Sequence, residues 1–444
     1  MSHYPAVQAG LRWVIALLIM LGSLLAAPHG DFLNQPDAVP LFWRGMGLMN
    51  LGFIAAWGLS KVERTWFWLV ALGPRLVLLA MHPGDDIWRY LWEGHIQTLG
   101  FNPYLLPPNA EVLIPFRLEA WSQIDHADLA AIYPPLTQLG FRTLAAMSPA
   151  VGLFKLAFVA ADIGICRLLS QGFGYRAAVL YAWNPLVIYS FAGGGHYDSW
   201  FLLPLVAAWL RWDGARRSAL LARLGSALLV GISIAIKWMS LPVLVFMAGR
   251  ELSLGGRNLL QKGGSAIALV SVGLLPLAIA TLPFCQDLSC PVVPLDSPFV
   301  NYGRSAALIP HLVASVWPAT ERENWIYALP LGAVLLWAHS RSLSVGQLIE
   351  RYFTALMLLS PIIHAWYFTW LTPFAVASRS WGTRLVSISA FVYFALPHAV
   401  ALGSDHWTLS LWQRWGLWAP FMLGIGLSAL SPKRPSDRQN ATSK

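Results

Sequence analysis

This sequence is short of charge. Only 11% of its 444 residues are Asp, Glu, Lys or Arg, against roughly 25% in a soluble globular domain. It has three cysteines, too few for a disulfide scaffold, and no visible tandem repeat. These shortages exclude a soluble enzyme, a nucleic-acid-binding module and a disordered protein. What the chain has instead is apolar material, 57% of all residues. At roughly 20 residues per crossing, that supplies about a dozen membrane spans.

The net charge of +9 fits Lys and Arg collected in cytoplasmic loops better than an anionic partner. Basic clusters at Arg211, Arg216 and Arg217, at Arg250, Arg257 and Lys262, and at Lys433, Arg434 and Arg438 mark the cytoplasmic face. Loops 28–40, 82–130 and 284–304 are poor in Lys and Arg and belong on the opposite side. The 23 Trp and 13 Tyr suit the aromatic belts of a bilayer interface. The first apolar stretch, LRWVIALLIMLGSLLAA (11–27), has no strongly basic leader and reads as a retained helix rather than a signal peptide.

Apolar stretches lie near 11–28, 40–60, 65–81, 151–169, 176–193, 198–212, 218–248, 262–283, 324–340, 351–378, 383–402 and 409–430. The expected fold is an all-α, polytopic transmembrane bundle of 11 to 13 spans. It forms a single domain over 1–430, with a disordered cytoplasmic tail at 431–444. Stretch 218–248 is long enough to split at Pro242. Segment 131–148, which carries Pro134, Pro135 and Arg142, breaks the parity of the spans and is expected to dip in or lie at the interface. Cys166 packs in an apolar run. Cys285 and Cys290 share a short loop and can pair if it faces an oxidising compartment.

The densest signal is HPGDDIWRYLWEGHIQTLGFNPYLLPP (82–108). Asp85 and Asp86 follow a span and a Pro-Gly turn, where the chain leaves the bilayer. One can cap a helix while the other is solvated, yet their Trp- and Tyr-rich surroundings favour a built site. Long ordered loops such as 82–130 are usually functional, and short amphipathic helices lying on the membrane are expected in this one. Arg89 and Glu93, four apart, pair most simply on a helix surface.

Segment 82–108 resembles the first extracytoplasmic loop of the GT-C superfamily of integral-membrane glycosyltransferases. Within it GDDIWRYLWEGH (84–95) and GFNPY (100–104), followed by IYPPL (132–136), resemble the bacterial polyprenol-phosphate-mannose-dependent mannosyltransferases. The likeness continues more loosely through AWNPLVIYSFAGGGHYDSW (182–200), AIKW (235–238) and HAWYFTW (364–370). The resemblance implies a GT-C helix bundle that moves a hexose, most simply mannose, from a polyprenyl-phosphate donor to a glycan or glycolipid acceptor, with inversion. It implies a bacterial inner-membrane enzyme whose site faces the periplasm. It also gives Asp85 or Asp86 the role of catalytic base, or of helping to bind a metal; a divalent ion (Mg or Mn) is left open.

Chemistry points the same way. A carboxylate can take the proton of an attacking hydroxyl, and a phosphate leaving group needs positive charge more than a strong acid. Lys237, inside an apolar run, should face a cavity or a partner unless it snorkels to the interface. Arg304 is either a phosphate ligand or an ordinary loop arginine. His196 and Asp198 in GGGHYDSW (193–200) could contact sugar hydroxyls or simply supply a polar turn. His364 and Tyr367 lie near a membrane boundary, with Trp366 and Trp370 readable as belt residues. Arg89 and Tyr90 complete the expected substrate contacts. Asp162 and Arg167 share a helix face only approximately, so a structural pair across helices is favoured. A flippase or transporter of lipid-linked saccharides is the alternative class, but it predicts two related halves with broken helices, and no such symmetry is visible. A ligase or polymerase would place its large loop late in the chain.

Overall fold

The computed structural model describes residues 4–214, 220–253, 258–286, 289–293, 297–341 and 343–430. Arg216, Arg217, Arg257 and the tail 431–444, with Lys433, Arg434 and Arg438, lie outside the described residues. Among the described residues the regular structure is helical, apart from one isolated bridge between Gln286 and Ser289.

The chain opens with α1 (Tyr4–Ala26), α2 (Ala38–Ala56) and α3 (Arg64–Leu78). The long early loop then builds α4 (Asp86–Thr98), two 3₁₀ turns (Glu111–Phe116 and Glu119–Gln123) and α5 (Pro135–Met147). Next come α6 (Val151–Phe173), α7 (Tyr175–Ala182), α8 (Pro185–Ile188), a π-helical turn at Tyr189–Gly193, and α9 (Ser199–Gly214). The centre of the chain holds α10 (Leu220–Ile236), α11 (Leu241–Leu252), α12 (Leu259–Thr281), α13 (Pro298–Tyr302) and α14 (Ile309–Val316). It ends with α15 (Ala328–Ser340), α16 (Val345–Leu359), α17 (Thr372–Ser378), α18 (Trp381–Ser389), α19 (Ala395–Ala401) and α20 (Leu411–Leu430).

Three continuous segments are long and apolar enough to cross a bilayer by length and composition: Gln8–Ala26, Leu259–Phe284 and Trp381–Ala401. In the second, only 22% of the most apolar window is buried by the protein. Leu259, Leu260, Ile267, Ile279 and Leu282 stand open on its surface. An uncovered apolar face of that length is untenable in water and natural in lipid. The chain is an integral membrane protein.

Three other apolar stretches are interrupted. Stretch 176–193 breaks after Ala182, where Asn184 accepts a hydrogen bond from Leu186 N and Pro185 starts α8. Stretch 218–248 breaks at Lys237, whose backbone is extended, and not at Pro242, which sits in the first turn of α11. A proline there lacks only an N–H that would be unpaired anyway. Stretch 351–378 opens between α16 and α17, around a 3₁₀ turn at Ala365–Trp370. Non-helical backbone survives at membrane depth only inside protein or along a cavity, and these breaks are buried or half-buried in the protein.

One apolar cluster runs from Ile15 of α1 to Phe421 of α20. Within it Arg75 and Asp162 form a fully buried ion pair, with Nε 2.5 Å from Oδ2. Arg75 also donates to the carbonyls of Ala71 and Ala182 and to Cys166 Sγ. The partner of Asp162 is thus on another helix, as expected, and Cys166 is a buried free thiol. Segment 131–148 forms α5, a short helix that packs on α4, α10 and α12. Cys285 and Cys290 are disulfide-bonded.

Candidate active site

The carbonyl end of α3 leads through His82-Pro83-Gly84 to the aspartate pair. Asp85 caps α4, its Oδ1 accepting from Asp86 N at 3.0 Å. Gly84 N donates to Gly194 O at 2.9 Å, which ties this corner to the turn after the π-helical residues. Such π turns interrupt the helix register, and they are frequent at functional sites. Gly195, with φ +72°, takes the left-handed conformation, and a Cβ there would lie 2.8 Å from Ile87 Cδ1. Only glycine fits both constraints.

That turn delivers His196, buried, with Nδ1 3.2 Å from Asp86 Oδ2. An ionised carboxylate can only accept, so Nδ1 carries the hydrogen. The His196 ring stacks on Trp366 at 3.7 Å, and Trp366 stacks on His364 at 4.4 Å. His364 Nδ1 in turn shares a hydrogen bond with Tyr393 Oη at 2.6 Å. Asp85, His196, Trp366, Tyr393 and Trp407 line one open cleft, walled on one side by the loop at Gly30–Asn34.

A second cluster adjoins the first. Asp198 is buried and accepts from Lys237 Nζ at 2.5 Å and from Trp370 Nε1 at 2.7 Å, both on Oδ1. Its buried Oδ2 has no hydrogen-bond partner among the described residues. The Lys237 ammonium stands over the rings of Trp370 (4.7 Å), Tyr197 (4.9 Å) and Tyr367 (5.3 Å). Each contact of this kind favours a desolvated cation.

The two aspartates titrate apart. Burial, then the neighbouring charge of Asp86, pushes Asp85 up from 3.8 to about 6. Burial alone would raise Asp86 as well. Instead the hydrogen bond and charge of His196, with His364 and Lys237 behind them, hold it below its ordinary value. Two carboxyl groups whose surroundings drive them apart form the usual arrangement for one acid–base group beside one fixed charge.

Asp85 and His196 therefore line one cleft, Asp86 and His364 stand behind it on His196, Trp366 and Tyr393, and Asp198, Lys237 and Tyr367 form its neighbour. Arg89, Tyr90 and Arg304 are not brought to the cleft surface. Arg89 pairs with Glu93 at 2.7 Å, and its other donors hold the carbonyls of His126, Leu129 and Ala130. That makes it a clasp for loop 82–130. Tyr90 is buried below the pair, its ring stacked on Phe141 at 4.7 Å. Arg304 points its guanidinium at the carbonyls of Thr320 and Glu321. Tyr393, Trp407 and the 30–34 loop gave no sequence signal, because each reaches the cleft only through tertiary packing. Among the described residues no three His, Cys, Asp or Glu side chains gather as a metal cage. A Mg²⁺ here would need phosphate and water oxygens beside one or two carboxylates.

A second, more open groove runs between α4 and the 3₁₀ turn at Glu119–Gln123. His82, Trp88 and Gln123 are common walls of both spaces.

No protein-family model matches the sequence, and no curated protein matches it. Among solved structures it is similar to ArnT from Cupriavidus metallidurans bound to undecaprenyl phosphate. That match has 15% identity and a TM-score of 0.44, covering 82% of this chain and 71% of that one. It is also similar to the archaeal oligosaccharyltransferase AglB from Archaeoglobus fulgidus, in complex with an inhibitory peptide and a dolichol-phosphate. There the identity is 15% and the TM-score 0.34, over 86% of this chain and 58% of that one.

Proposed function

We propose that the protein is a GT-C-type glycosyltransferase that moves a hexose, mannose first among candidates, from a polyprenyl-phosphate carrier to a glycan or glycolipid acceptor. The observation that carries this reading is the divided aspartate pair in a cleft beside a lysine ringed by aromatic side chains. The acceptor hydroxyl attacks the anomeric carbon and its proton passes to Asp85. The bond from that carbon to the phosphate oxygen breaks, its electrons stay with the phosphate, and the configuration inverts. A carboxylate poised near the working pH suits this transfer. Asp86 remains ionised and orients His196. Lys237 offers positive charge to the departing phosphate, and the Oδ2 of Asp198 can accept from a sugar hydroxyl. Trp366, Tyr367 and His364 supply faces for a sugar ring.

The loop disulfide supports an extracytoplasmic, and so periplasmic, site. Asn102 Nδ2 donates to Phe284 O at 3.0 Å, and Tyr104 packs edge-on against Phe284 at 5.1 Å. The Cys285–Cys290 loop therefore stands on the same side as 82–130, and disulfides persist in oxidising compartments.

The test is transfer from a labelled polyprenyl-phosphate sugar by purified protein. Asp85→Asn should lower the rate by about 10²–10⁴-fold, the usual worth of a general base. Wild-type rates in both Asp85→Asn and Asp86→Asn would defeat the assignment.

A further inference from the structure

Lys155 is a fully buried lysine on α6, and among the described residues no carboxylate pairs with it. A lone buried cation is expensive. Its ammonium instead donates to three carbonyls, Leu78 O at 3.2 Å, Leu79 O at 3.1 Å and Met81 O at 2.7 Å. Leu78 O belongs to the last turn of α3, where it also accepts from Met81 N, and Leu79 O and Met81 O follow just past the helix end, at the negative end of its dipole. One ammonium with three hydrogens satisfies all of them at once.

The place matters as much as the bonds. Met81 is four residues before Asp85. The aliphatic stem of Lys155 lies under Gly195, where a Cβ would come within 3.2 Å of Lys155 Cγ. Gly195 directly precedes His196. A single side chain therefore grips the segment that carries the aspartates and supports the turn that carries their partner.

We propose that Lys155 is a positioning residue that sets the Asp85–Asp86 corner against His196. The proposal rests on the reading of that corner as the reacting site, but its test does not depend on turnover. The ring nitrogens of His196, observed by ¹⁵N NMR of the full-length protein in detergent, report whether Nδ1 holds Asp86. Asp86→Asn supplies the reference for a ring without its carboxylate. In Lys155→Met the His196 signals should move toward that reference, and in Lys155→Arg they should return part of the way. Sugar transfer should fall about a hundredfold, as for displacement of reacting groups by about 1 Å, with KM for the lipid donor unchanged. Should Lys155→Met fail to fold, Lys155→Gln, which keeps one donor and loses the charge, is read in the same way. His196 signals identical to wild type in the folded variant would overturn the proposal. A shifted signal in the variant, where the wild type itself transfers no sugar, would uphold it and count against the glycosyltransferase reading alone.

Discussion

His196 Nδ1 stands 3.2 Å from Asp86 Oδ2 across 110 residues of chain. The contact decides which aspartate stays charged, because Asp85 has no such donor. Among the described residues its carboxylate accepts only from the backbone N–H of Asp86.

The pH dependence of transfer follows. Asp85 must be ionised to accept a proton, and it titrates at about 6. Activity should therefore fall as pH drops through about 6, with Asp86 still ionised. His196→Ala removes a neighbour that lowers both carboxyl groups, so the acid limb should move to higher pH. A pH–rate profile of the two proteins checks the direction.

Stability should run the other way for the same group. The Asp85 value rises on folding from 3.8 to about 6. Its favourable contribution is fully present below about 4 and is lost as pH rises through about 6. Asp85→Asn should therefore raise the thermal midpoint at pH 7, by the equivalent of about 1 kcal/mol after allowance for partial exposure. The variant should be sturdier and nearly inactive, and differential scanning fluorimetry at pH 5 and pH 7.5 measures the sturdiness.

Lys237 and Asp198 should prove strongly coupled. Lys237→Met leaves a buried carboxylate without its cation, a loss of about 3–5 kcal/mol for a broken buried pair. Lys237→Met with Asp198→Asn removes both charges and should recover much of that stability without recovering transfer. Additive losses in this double-mutant cycle would contradict a tight pair.

Orientation can be read from the disulfide. Cys285→Ser frees Cys290, and Cys166 is buried in the core. A membrane-impermeant maleimide should label that variant in cells with a permeable outer membrane and an intact inner one, and should leave the wild type unlabelled. Labelling only after the inner membrane is broken would put the loop, and the site with it, on the cytoplasmic face.

Much of the plan was legible in the linear chain, because the bilayer leaves few solutions. Apolar runs had to become helices, since lipid offers no partner for backbone N–H and C=O groups. The Asp pair announced itself by following a span and a Pro-Gly turn. The helix breaks were less legible. Lys237 looked like a mid-helix residue in an apolar run, yet it sits on extended backbone between α10 and a 3₁₀ turn. Its cost in the membrane is met by Asp198 and four aromatic rings. Arg89 carried the same four-residue spacing to Glu93 that marks a surface pair, but the loop folds over both and buries them.

Composition and periodicity by themselves determined a helical membrane protein with an ordered, acidic first loop. Only the tertiary structure decided which aspartate is paired, that Trp366 lies between two histidines rather than in a lipid belt, and that Lys155 holds the end of α3. The reason is physical: helix periodicity and burial are local properties of a chain in lipid. A hydrogen bond or a shifted carboxyl depends on distances of a few ångströms between segments that only packing brings together.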